Sequence, residues 1–390
     1  MQNVLVVGLG LSSTEAVKSL AGSLPQTHRL VIVTATDGYW PIAGLRAAVV
    51  PGWESKPVAP LDYVLPPNSR HILIKGTSVV EMKLNSAVMD KPHAELGSEI
   101  PFEYALLATG SSYPFPCRPH PGSTSEETVT ALRQLQTDLA SSSSVLVIGG
   151  GPVGVEYTGE VAAQYRSDKA KKVTLVHSHE VFLYEPGWKP KFNQSMERQL
   201  KELGVELKMG RKVVEGGLQT GKVEGGERTF KLDNGEEVKA DFVFVAHGNS
   251  PNTGFIGAFD PALLNAQKQV AVKPSFQLKS DDGRYDHIFA MGDITDVQES
   301  KLALHAGNHV PIFTKNLLAL ILAGGPKSAS PPALKSYSPG GKMIGISIGP
   351  NGGAGQFFFG IVFPPWLMAF AKSKTLFVDK FEATYNKPKA

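Results

Sequence analysis

Two glycine-rich turns have the clearest chemical meaning in this chain. Each turn follows a short apolar run and precedes a segment with helical character. Their glycines are Gly8 and Gly10 within residues 4–13, and Gly149, Gly151 and Gly154 within residues 145–154. Glycine lets the backbone turn tightly and approach a pyrophosphate, whose charge then lies at a helix N-terminus. A tight turn without a ligand is the alternative, but two such turns in one chain favour two dinucleotide sites.

The first turn departs from the full glycine pattern at its third position. Ser13 stands where the third glycine is expected. The serine side chain is small enough for the close packing of helix against strand that the third glycine normally permits. Ser13 therefore remains part of the first predicted site.

The composition indicates a globular protein with more than one core. The chain has 390 residues, 42% of them hydrophobic, which suffices for two or three domains. Its 39 basic and 36 acidic residues leave a net charge of only +3, which gives no support for nucleic-acid binding. Cys117 has no second cysteine to pair with, which excludes an internal disulfide and thiol–disulfide reductase chemistry. No metal site is predicted.

The N-terminal residues carry no recognisable targeting signal. The first predicted strand begins almost at Met1, so neither a signal peptide nor a transit peptide is expected. Gln2 occupies the position at which N-myristoylation requires glycine. We therefore expect a cytoplasmic protein in which any membrane contact comes from another part of the chain.

Alternating strand and helix signals predict an α/β fold with two Rossmann-like domains, the second inserted in the first. Strand signals at residues 104–110 close one half of a nucleotide domain, and the second turn follows a serine-rich linker. A strand at residues 288–293 and a helical segment at residues 302–322 return to the first domain. The predicted boundaries are 1–115 and 247–325 for the first domain, 116–246 for the second, and 326–390 for a small C-terminal region.

The order and spacing of these motifs resemble a known class of flavoproteins. The motifs are Gly8 and Gly10; Ala108, Thr109 and Gly110; Gly149, Gly151, Gly154 and Glu156; and Gly292 and Asp293. Together they resemble the two-dinucleotide-binding-domain flavoproteins. Residues 44–48 and 371–377 are similar to the branch of apoptosis-inducing-factor-like and ferroptosis-suppressor-protein-like FAD-dependent NAD(P)H:quinone oxidoreductases.

The resemblance implies FAD in the first domain and NADH or NADPH as co-substrate in the second. It implies that hydride passes from the nicotinamide to the flavin and that electrons continue to a quinone-like acceptor. Gly8 and Gly10 would lie at the pyrophosphate, and Thr109 and Gly110 beside the cofactor. Asp293 would accept a hydrogen bond from a ribityl hydroxyl, with an N-cap of the following helix as the alternative.

Both predicted strands that follow the turns end without the acid that usually binds an adenosine ribose. Thr34 ends the strand of the first domain, where Asp37 from the next loop is a possible substitute. His177 ends the strand of the second domain, and the missing acid predicts use of either nicotinamide cofactor. We expect the His177 side chain to face solvent and to take no catalytic part.

Two cations complete the predicted cofactor contacts. Arg46 lies in an apolar stretch, and pairing with a phosphate or with a local carboxylate both remain open. Lys301 precedes a helix whose N-terminus is expected to point at the pyrimidine edge of the flavin. His305 follows in that helix, and packing is favoured over proton donation to a quinone.

Glu156 and Lys372 are the two residues to which the resemblance assigns a role beside the flavin ring. In the resembling family this glutamate pairs with a lysine, and Lys372 is the matching candidate here. Such a buried pair would position the nicotinamide or tune flavin protonation. The alternative is a structural ion pair between the domains.

Residues 356–371 form the most apolar stretch of the chain, and several lysines follow it. The stretch is too short and too interrupted by proline to span a bilayer, which takes about 20 apolar residues. Two interpretations remain open: an interfacial element that contacts lipid and receives a quinone, or a cover over the flavin. Membrane or lipid-droplet association is therefore an alternative to a purely cytoplasmic location.

Two other functions remain open at this point. Weakened FAD contacts at Thr34 would suit a flavoprotein fold that has become an interaction or signalling protein. A ferredoxin or rubredoxin reductase would instead need a charged docking face for its protein partner. The oligomeric state is not indicated by the sequence.

Overall fold

The first domain begins with the glycine-rich turn between a buried strand and a helix. The computed structural model describes residues 1–247 and 249–385. The strands up to the domain crossing are β1 (Gln2–Val7), β2 (His28–Thr34), β3 (Gly38–Tyr39), β4 (Val58–Ala59), β5 (Ile72–Lys75), β6 (Val79–Met82), β7 (Ser86–His93), β8 (Gly97–Pro101), β9 (Tyr104–Leu107) and β10 (Ser111–Ser112). The helices of this part are α1 (Leu11–Ser23) and α2 (Pro41–Ala47).

The second domain repeats the same strand–turn–helix start. Its strands are β11 (Ser144–Ile148), β12 (Lys172–His177), β13 (Glu206–Met209), β14 (Gly221–Lys222), β15 (Arg228–Lys231), β16 (Glu237–Ala240) and β17 (Phe242–Val245). Its helices are α3 (Ser125–Ala140), α4 (Pro152–Gln164) and α5 (Pro190–Glu202). In the sheet of order β13-β12-β11-β17-β14, only the edge strand β14 is antiparallel to its neighbour.

The chain then returns to the first domain. The returning elements are β18 (Ser250–Pro251), α6 (Gly254–Phe259), β19 (Ile288–Ala290) and α7 (Ala303–Leu322). Strand β19 completes a parallel sheet of order β5-β2-β1-β9-β19. Strand β1 is the centre of this sheet because its apolar residues are buried on both faces. The predicted α/β class with two Rossmann-like domains is confirmed, whereas the residue boundaries of the domains stay a prediction.

The C-terminal region packs across both domains. It contains β20 (Ile344–Ile348), β21 (Gly352–Gln356), β22 (Val362–Phe363), α8 (Pro365–Met368), a π-helical turn (Ala369–Ser373) and α9 (Val378–Thr384). Ile346 shares a core with residues of α4, whereas Phe381 belongs to the core of the first domain. A side chain at Gly159 of α4 would come within 2.7 Å of the Ile348 backbone, so glycine allows β20 to lie directly on this helix.

A helix that crosses a membrane needs about 20 predominantly apolar residues. Among the described residues, no helix combines sufficient length with sufficient apolar character to cross a bilayer.

Candidate active site

The first glycine-rich turn leaves open space at the start of α1. Gly8 has a φ of +91°, and a Cβ there would lie 2.6 Å from the carbonyl oxygen of Ala108. Gly10 is the N-cap of α1 and has no atom within 4 Å of its Cβ position. Helix α1 has no side-chain cap, so its first backbone amides are suited to an anion. The turn fits the pyrophosphate of a dinucleotide.

Ser13 lies inside this helix and not in the open space. Its side chain is buried, and its hydroxyl donates to the carbonyl oxygen of Gly10 at 3.2 Å. The hydroxyl is thus used within the first turn of α1.

The second turn has the same shape in front of α4. Gly149 has a φ of +108°, and a Cβ there would approach the carbonyl oxygen of Ala246 to 3.2 Å. A Cβ at Gly154 would overlap the carbonyl oxygen of Gly149, so this position admits no side chain. Gly151 is the N-cap of α4 and faces open space. This turn also fits a dinucleotide pyrophosphate.

Thr34 and Asp37 are already engaged by protein atoms. The Thr34 hydroxyl donates to the carbonyl oxygen of Thr36 at 3.0 Å. One carboxylate oxygen of Asp37 accepts from the Ser125 hydroxyl at 2.6 Å and from its amide at 3.2 Å. Asp37 therefore supports the start of α3, and its role at a ribose stays a prediction.

The side chain of His177 is buried, so the expectation that it faces solvent is wrong. The second turn folds over the end of β12, and the Gly150 amide donates to His177 Nδ1 at 3.0 Å. A Cβ at Gly150 would lie 2.7 Å from the imidazole ring. Burial, assisted by the neighbouring His179, lowers the pKa of His177 from its ordinary value. The neutral imidazole supports the turn from beneath.

Asp293 lies next to Arg118, a cation that no sequence motif marks as part of the site. Arg118 Nη2 is 3.8 Å from Asp293 Oδ2, and Arg118 Nε donates to the Ser111 carbonyl oxygen at 3.2 Å. The same guanidinium lies 3.7 Å from the Cβ position of Gly110, which has a φ of +66°. The only signal in the sequence was a cation shortly after Thr109 and Gly110.

Thr109 and Lys301 make contacts within the protein. The Thr109 hydroxyl donates to the Asn252 carbonyl oxygen at 2.7 Å. This hydrogen bond joins the two segments through which the chain passes from one domain to the other. Lys301 Nζ donates to the carbonyl oxygens of Thr295 and Val297 at 2.7 and 3.0 Å. Burial lowers the pKa of Lys301. This lysine holds the loop that follows Asp293.

A buried carboxylate lies behind that loop. Glu299 accepts from His309 Nε2 and from the Tyr337 hydroxyl, both at 2.7 Å. His309 Nδ1 accepts from the Gly292 amide at 3.2 Å, so the neutral imidazole connects Glu299 to the Gly292 turn. His305 is also buried and hydrogen-bonds the Ser300 carbonyl oxygen at 2.8 Å, which agrees with packing.

Arg46 pairs with a carboxylate, as one of its two predicted alternatives has it, but the expectation that this carboxylate is local is wrong. Its Nε and Nη2 atoms donate to the carboxylate of Glu160 in α4 at 2.8 and 2.6 Å, and both side chains are buried. Its Nη2 atom also donates to the Ser373 carbonyl oxygen at 2.7 Å. The carboxylate is distant in sequence, and the contacts of Arg46 assign no phosphate to it.

Glu156 and Lys372 form the predicted ion pair. Lys372 Nζ lies 2.6 Å from Glu156 Oε1, with side-chain exposures of 12% and 5%. The same oxygen accepts from the amide and hydroxyl of Ser347 at 3.0 and 3.1 Å, and Lys372 also donates to the Gly345 carbonyl oxygen. The two β20 residues were not predicted, because nothing local marks them as neighbours of α4.

The C-terminal region exposes an apolar surface, which we call the aromatic tip. The tip consists of Phe358, Phe359, Ile361, Trp366 and Phe370, all more than half exposed. Phe359 is fully exposed and has a φ of +59°. Lys189 approaches the tip at Gly360. Several large apolar side chains exposed within one short segment are typical of an interaction site.

Residues 2–309 match the family model described as pyridine nucleotide-disulphide oxidoreductase. The chain belongs to this family, and with its two glycine-rich turns it is an NAD(P)H-dependent flavin oxidoreductase. The family implies FAD and NAD(P)H, which agrees with the shapes of the two turns. A redox disulfide within the chain is excluded, since Cys117 is the only cysteine and burial raises the pKa of its thiol to about 12.

The similar proteins support the resemblance inferred from the sequence. Apoptosis-inducing factor homolog B of Dictyostelium discoideum is 27% identical over 400 residues, covering 100% of this chain and 98% of its own. Ferroptosis suppressor protein 1 of Homo sapiens is 27% identical over 382 residues, covering 97% of this chain and 94% of its own. The apoptosis-inducing-factor-like resemblance is thereby confirmed.

Solved structures show the same fold at lower identity. An NAD-dependent persulfide reductase from A. fulgidus matches with a TM-score of 0.67 at 16% identity, covering 91% of this chain and 63% of its own. A water-forming NADH oxidase from Lactobacillus brevis matches with a TM-score of 0.65 at 16% identity, covering 91% of this chain and 75% of its own. These likenesses concern the fold alone.

Proposed function

We propose that the protein transfers electrons from NADH or NADPH, by way of FAD, to a quinone-like acceptor. One observation carries the choice of acceptor: the same C-terminal segment supplies Lys372 to the buried pair and exposes the aromatic tip. An apolar surface continuous with the segment that reaches the site suits an acceptor that is itself apolar. The resemblance stated from the sequence implies the same class of acceptor.

The first turn is proposed to hold FAD. Gly8 and Gly10 give the pyrophosphate access to the start of α1, and Gly110 leaves room beside it. Asp293 is proposed to accept from a ribityl hydroxyl, and Arg118 to balance its charge. Replacing Asp293 with Ala should release flavin, and unchanged flavin content would remove Asp293 from the site. Ser13 and Thr34 contribute through the shape of the turn and of the strand end.

The second turn is proposed to hold the nicotinamide cofactor. Gly149, Gly151 and Gly154 shape the backbone, and His177 fixes the Gly150 amide from beneath. No carboxylate ends β12, so neither NADH nor NADPH is selected by that strand end. We propose use of both, with modest discrimination.

Glu156 and Lys372 are proposed as the residues that position the two ring systems. When bound, FAD supplies the two-electron carrier that the side chains of the protein lack. Lys372 Nζ lies 2.6 Å from Glu156 Oε1, so the two side chains hold one another in a fixed orientation from which they can position the rings. Replacing Glu156 with Gln should slow hydride transfer, and unchanged kinetics would rule out this positioning role.

The aromatic tip is proposed to contact a membrane or a lipid droplet from the cytoplasmic side. Aromatic side chains favour the interface between lipid and water, and Lys189 and Lys374 suit anionic headgroups. Phe359 and Phe370 are the most exposed members of the tip. Such contact would bring a lipid-soluble quinone to the protein.

The choice of acceptor is tested by steady-state oxidation of NADH with several acceptors. A short-chain ubiquinone analogue should accelerate oxidation well beyond the rate with oxygen alone, whereas a ferredoxin should not. The opposite ranking would replace the quinone with a protein acceptor. No acceleration by any acceptor would favour an interaction or signalling role.

The membrane contact is tested with a long-chain quinone in vesicles that contain anionic lipid. The double variant Phe359→Ser and Phe370→Ser should reduce the vesicle-bound quinone slowly and the water-soluble analogue normally. Leu322→Ser removes an apolar side chain that is 78% exposed outside the tip and serves as the control. Equal rates for both variants in vesicles would contradict the membrane contact.

A further inference from the structure

Two carboxylates one helical turn apart on α4 hold the same C-terminal segment. Glu156 and Glu160 are four residues apart and therefore lie on one face of the helix. Glu156 binds Lys372 directly. Glu160 binds Arg46, which in turn binds the backbone just beyond Lys372. The C-terminal segment that carries Lys372 is thus held to α4 twice, once through Glu156 and once through Glu160 and Arg46.

The guanidinium of Arg46 connects three parts of the molecule. Arg46 belongs to α2 of the first domain, and Glu160 to α4 of the second. Nη2 donates to the carbonyl oxygen of Ser373 at 2.7 Å and Nη1 to that of Lys374 at 3.1 Å. The guanidinium also lies over the Trp53 ring, 4.6 Å from its centroid. Every guanidinium nitrogen therefore has a protein partner.

These two carbonyl groups lie where the π-helical turn ends. Lys372 is in this turn, and its own carbonyl oxygen accepts from the Leu376 amide at 2.7 Å. The Lys374 amide donates back to the Ala369 carbonyl oxygen at 3.0 Å. Carbonyl groups at a helix end carry partial negative charge and lack partners within the helix. The buried guanidinium of Arg46 supplies both a positive charge and hydrogen-bond donors to these carbonyl groups. Such π-helical turns are frequent at functional sites.

The buried charges of Arg46 and Glu160 balance one another. Burial raises the pKa of Glu160, and Arg46 opposes this shift by binding the carboxylate. Its side chain is 3% exposed and that of Glu160 is 2% exposed. Removing either partner would leave an unpaired buried charge and disturb the fold as a whole. A conservative substitution is therefore the informative one.

We infer that Arg46 is a positioning residue that keeps Lys372 on Glu156 by fixing the backbone carbonyl groups of Ser373 and Lys374. The effect on electron transfer rests on the proposed function, but the effect on the backbone does not. Lysine at position 46 keeps the charge opposite Glu160. Its single ammonium group cannot reproduce the planar fork that reaches a carboxylate and two carbonyl oxygens together. Arg46→Lys should thus loosen the π-helical turn while preserving the fold.

The first experiment measures amide hydrogen exchange in the full-length protein as purified, without added NADH or quinone. In Arg46→Lys, the amides of Lys374 and Leu376 should exchange about tenfold faster, since the lost hydrogen bonds involve a charged donor. Arg70→Lys is the matched control, because Arg70 also donates to backbone carbonyl groups, those of Leu24 and His28, in the first domain. Equal exchange in the two variants at residues 369–378 would overturn the inference.

The second experiment measures reduction of the bound flavin by NADH without any quinone, so the choice of acceptor does not affect it. Arg46→Lys should retain its flavin and slow reduction about tenfold. The slowing should vanish when Lys372 is already replaced with Met, because Arg46 then has no ammonium group to position. An undiminished effect in the Lys372→Met background would assign Arg46 a merely structural role.

Discussion

The two glycine-rich turns share a sequence pattern but are tight at different positions. In the first domain the closest approach is at the first glycine, where a Cβ on Gly8 would lie 2.6 Å from the Ala108 carbonyl oxygen. In the second domain it is at the third glycine, Gly154, whose Cβ would overlap the carbonyl oxygen of Gly149. The first domain carries Ser13 at that third position. One sequence pattern therefore serves two turns whose backbones are tightest at different glycines.

The strand ends beneath the two turns differ as well. The Thr34 hydroxyl donates to the carbonyl oxygen of Thr36 and not to the first turn. His177 accepts the hydrogen bond of Gly150 and so supports the second turn. The strand end beneath the second turn thus supports it with an imidazole that titrates near neutral pH, whereas the first turn receives the Tyr385 hydroxyl on its Leu9 carbonyl oxygen at 3.1 Å.

The largest expected effect is that of Gly154→Ala. Because the new methyl group overlaps backbone, the second domain should lose more than about 3 kcal/mol of stability and its response to NADH. Flavin should remain in the first domain. Thermal unfolding and flavin absorbance measure both outcomes.

Gly151→Ala is the matched control for that substitution. Its Cβ position has no atom within 4 Å, so the stability should stay near that of the parent while the KM for NADH rises. Equal losses of stability in the two variants would refute the distinction between the third glycine and the glycine that faces the ligand.

Gly8→Ala should have the next largest effect, about 2 kcal/mol or more, and in the other domain. Its φ of +91° disfavours any side chain, and the Ala108 carbonyl group leaves no space. The purified variant should contain little flavin, as absorbance at visible wavelengths would show. A variant with full flavin content would contradict the assignment of FAD to the first turn.

Acid should weaken the second turn through His177. Its pKa lies below 6.5 in the folded protein, so the imidazole is neutral at pH 7 and accepts from Gly150. Its stabilising contribution is present above the unfolded pKa of about 6.5 and is lost as the pH falls towards the folded pKa. The KM for NADH should rise about threefold at low pH, once the imidazole is protonated.

His177→Asn is the control for this pH dependence. The Asn amide oxygen accepts a hydrogen bond but does not titrate, so the KM for NADH should change less with pH. An identical pH profile in the variant would assign the effect to another group.

The smallest effect is expected for Ser13→Gly. The substitution restores the full glycine pattern, but the Ser13 side chain is already accommodated in a buried position and donates to the Gly10 carbonyl oxygen. Stability should fall by about 0.5 kcal/mol because glycine is a poor helix former. Flavin content should not change. A marked gain in flavin would show that the serine limits cofactor binding.

Much of the fold and part of the site follow from local sequence. The two turns, the buried strands before them and the return through β19 carry local signals, since glycine and apolar runs act over a few residues. The pairing of Glu156 with Lys372 was predicted through the resemblance, although 216 residues separate them.

The remaining parts of the site depend on packing between distant elements. Glu160 is 114 residues from Arg46, and no local feature distinguishes this carboxylate from a phosphate as the partner. His177 becomes buried because the turn after β11 folds over it, which its own neighbours in sequence do not reveal. Arg118 reaches Asp293 across 175 residues for the same reason.

The most direct test of the two-site account is the visible absorption spectrum under anaerobic conditions. The purified protein should show flavin bands that bleach on addition of one equivalent of NADH and return when a short-chain ubiquinone analogue is added. A colourless protein that FAD cannot reconstitute, or flavin bands that NADH leaves unchanged, would contradict the account.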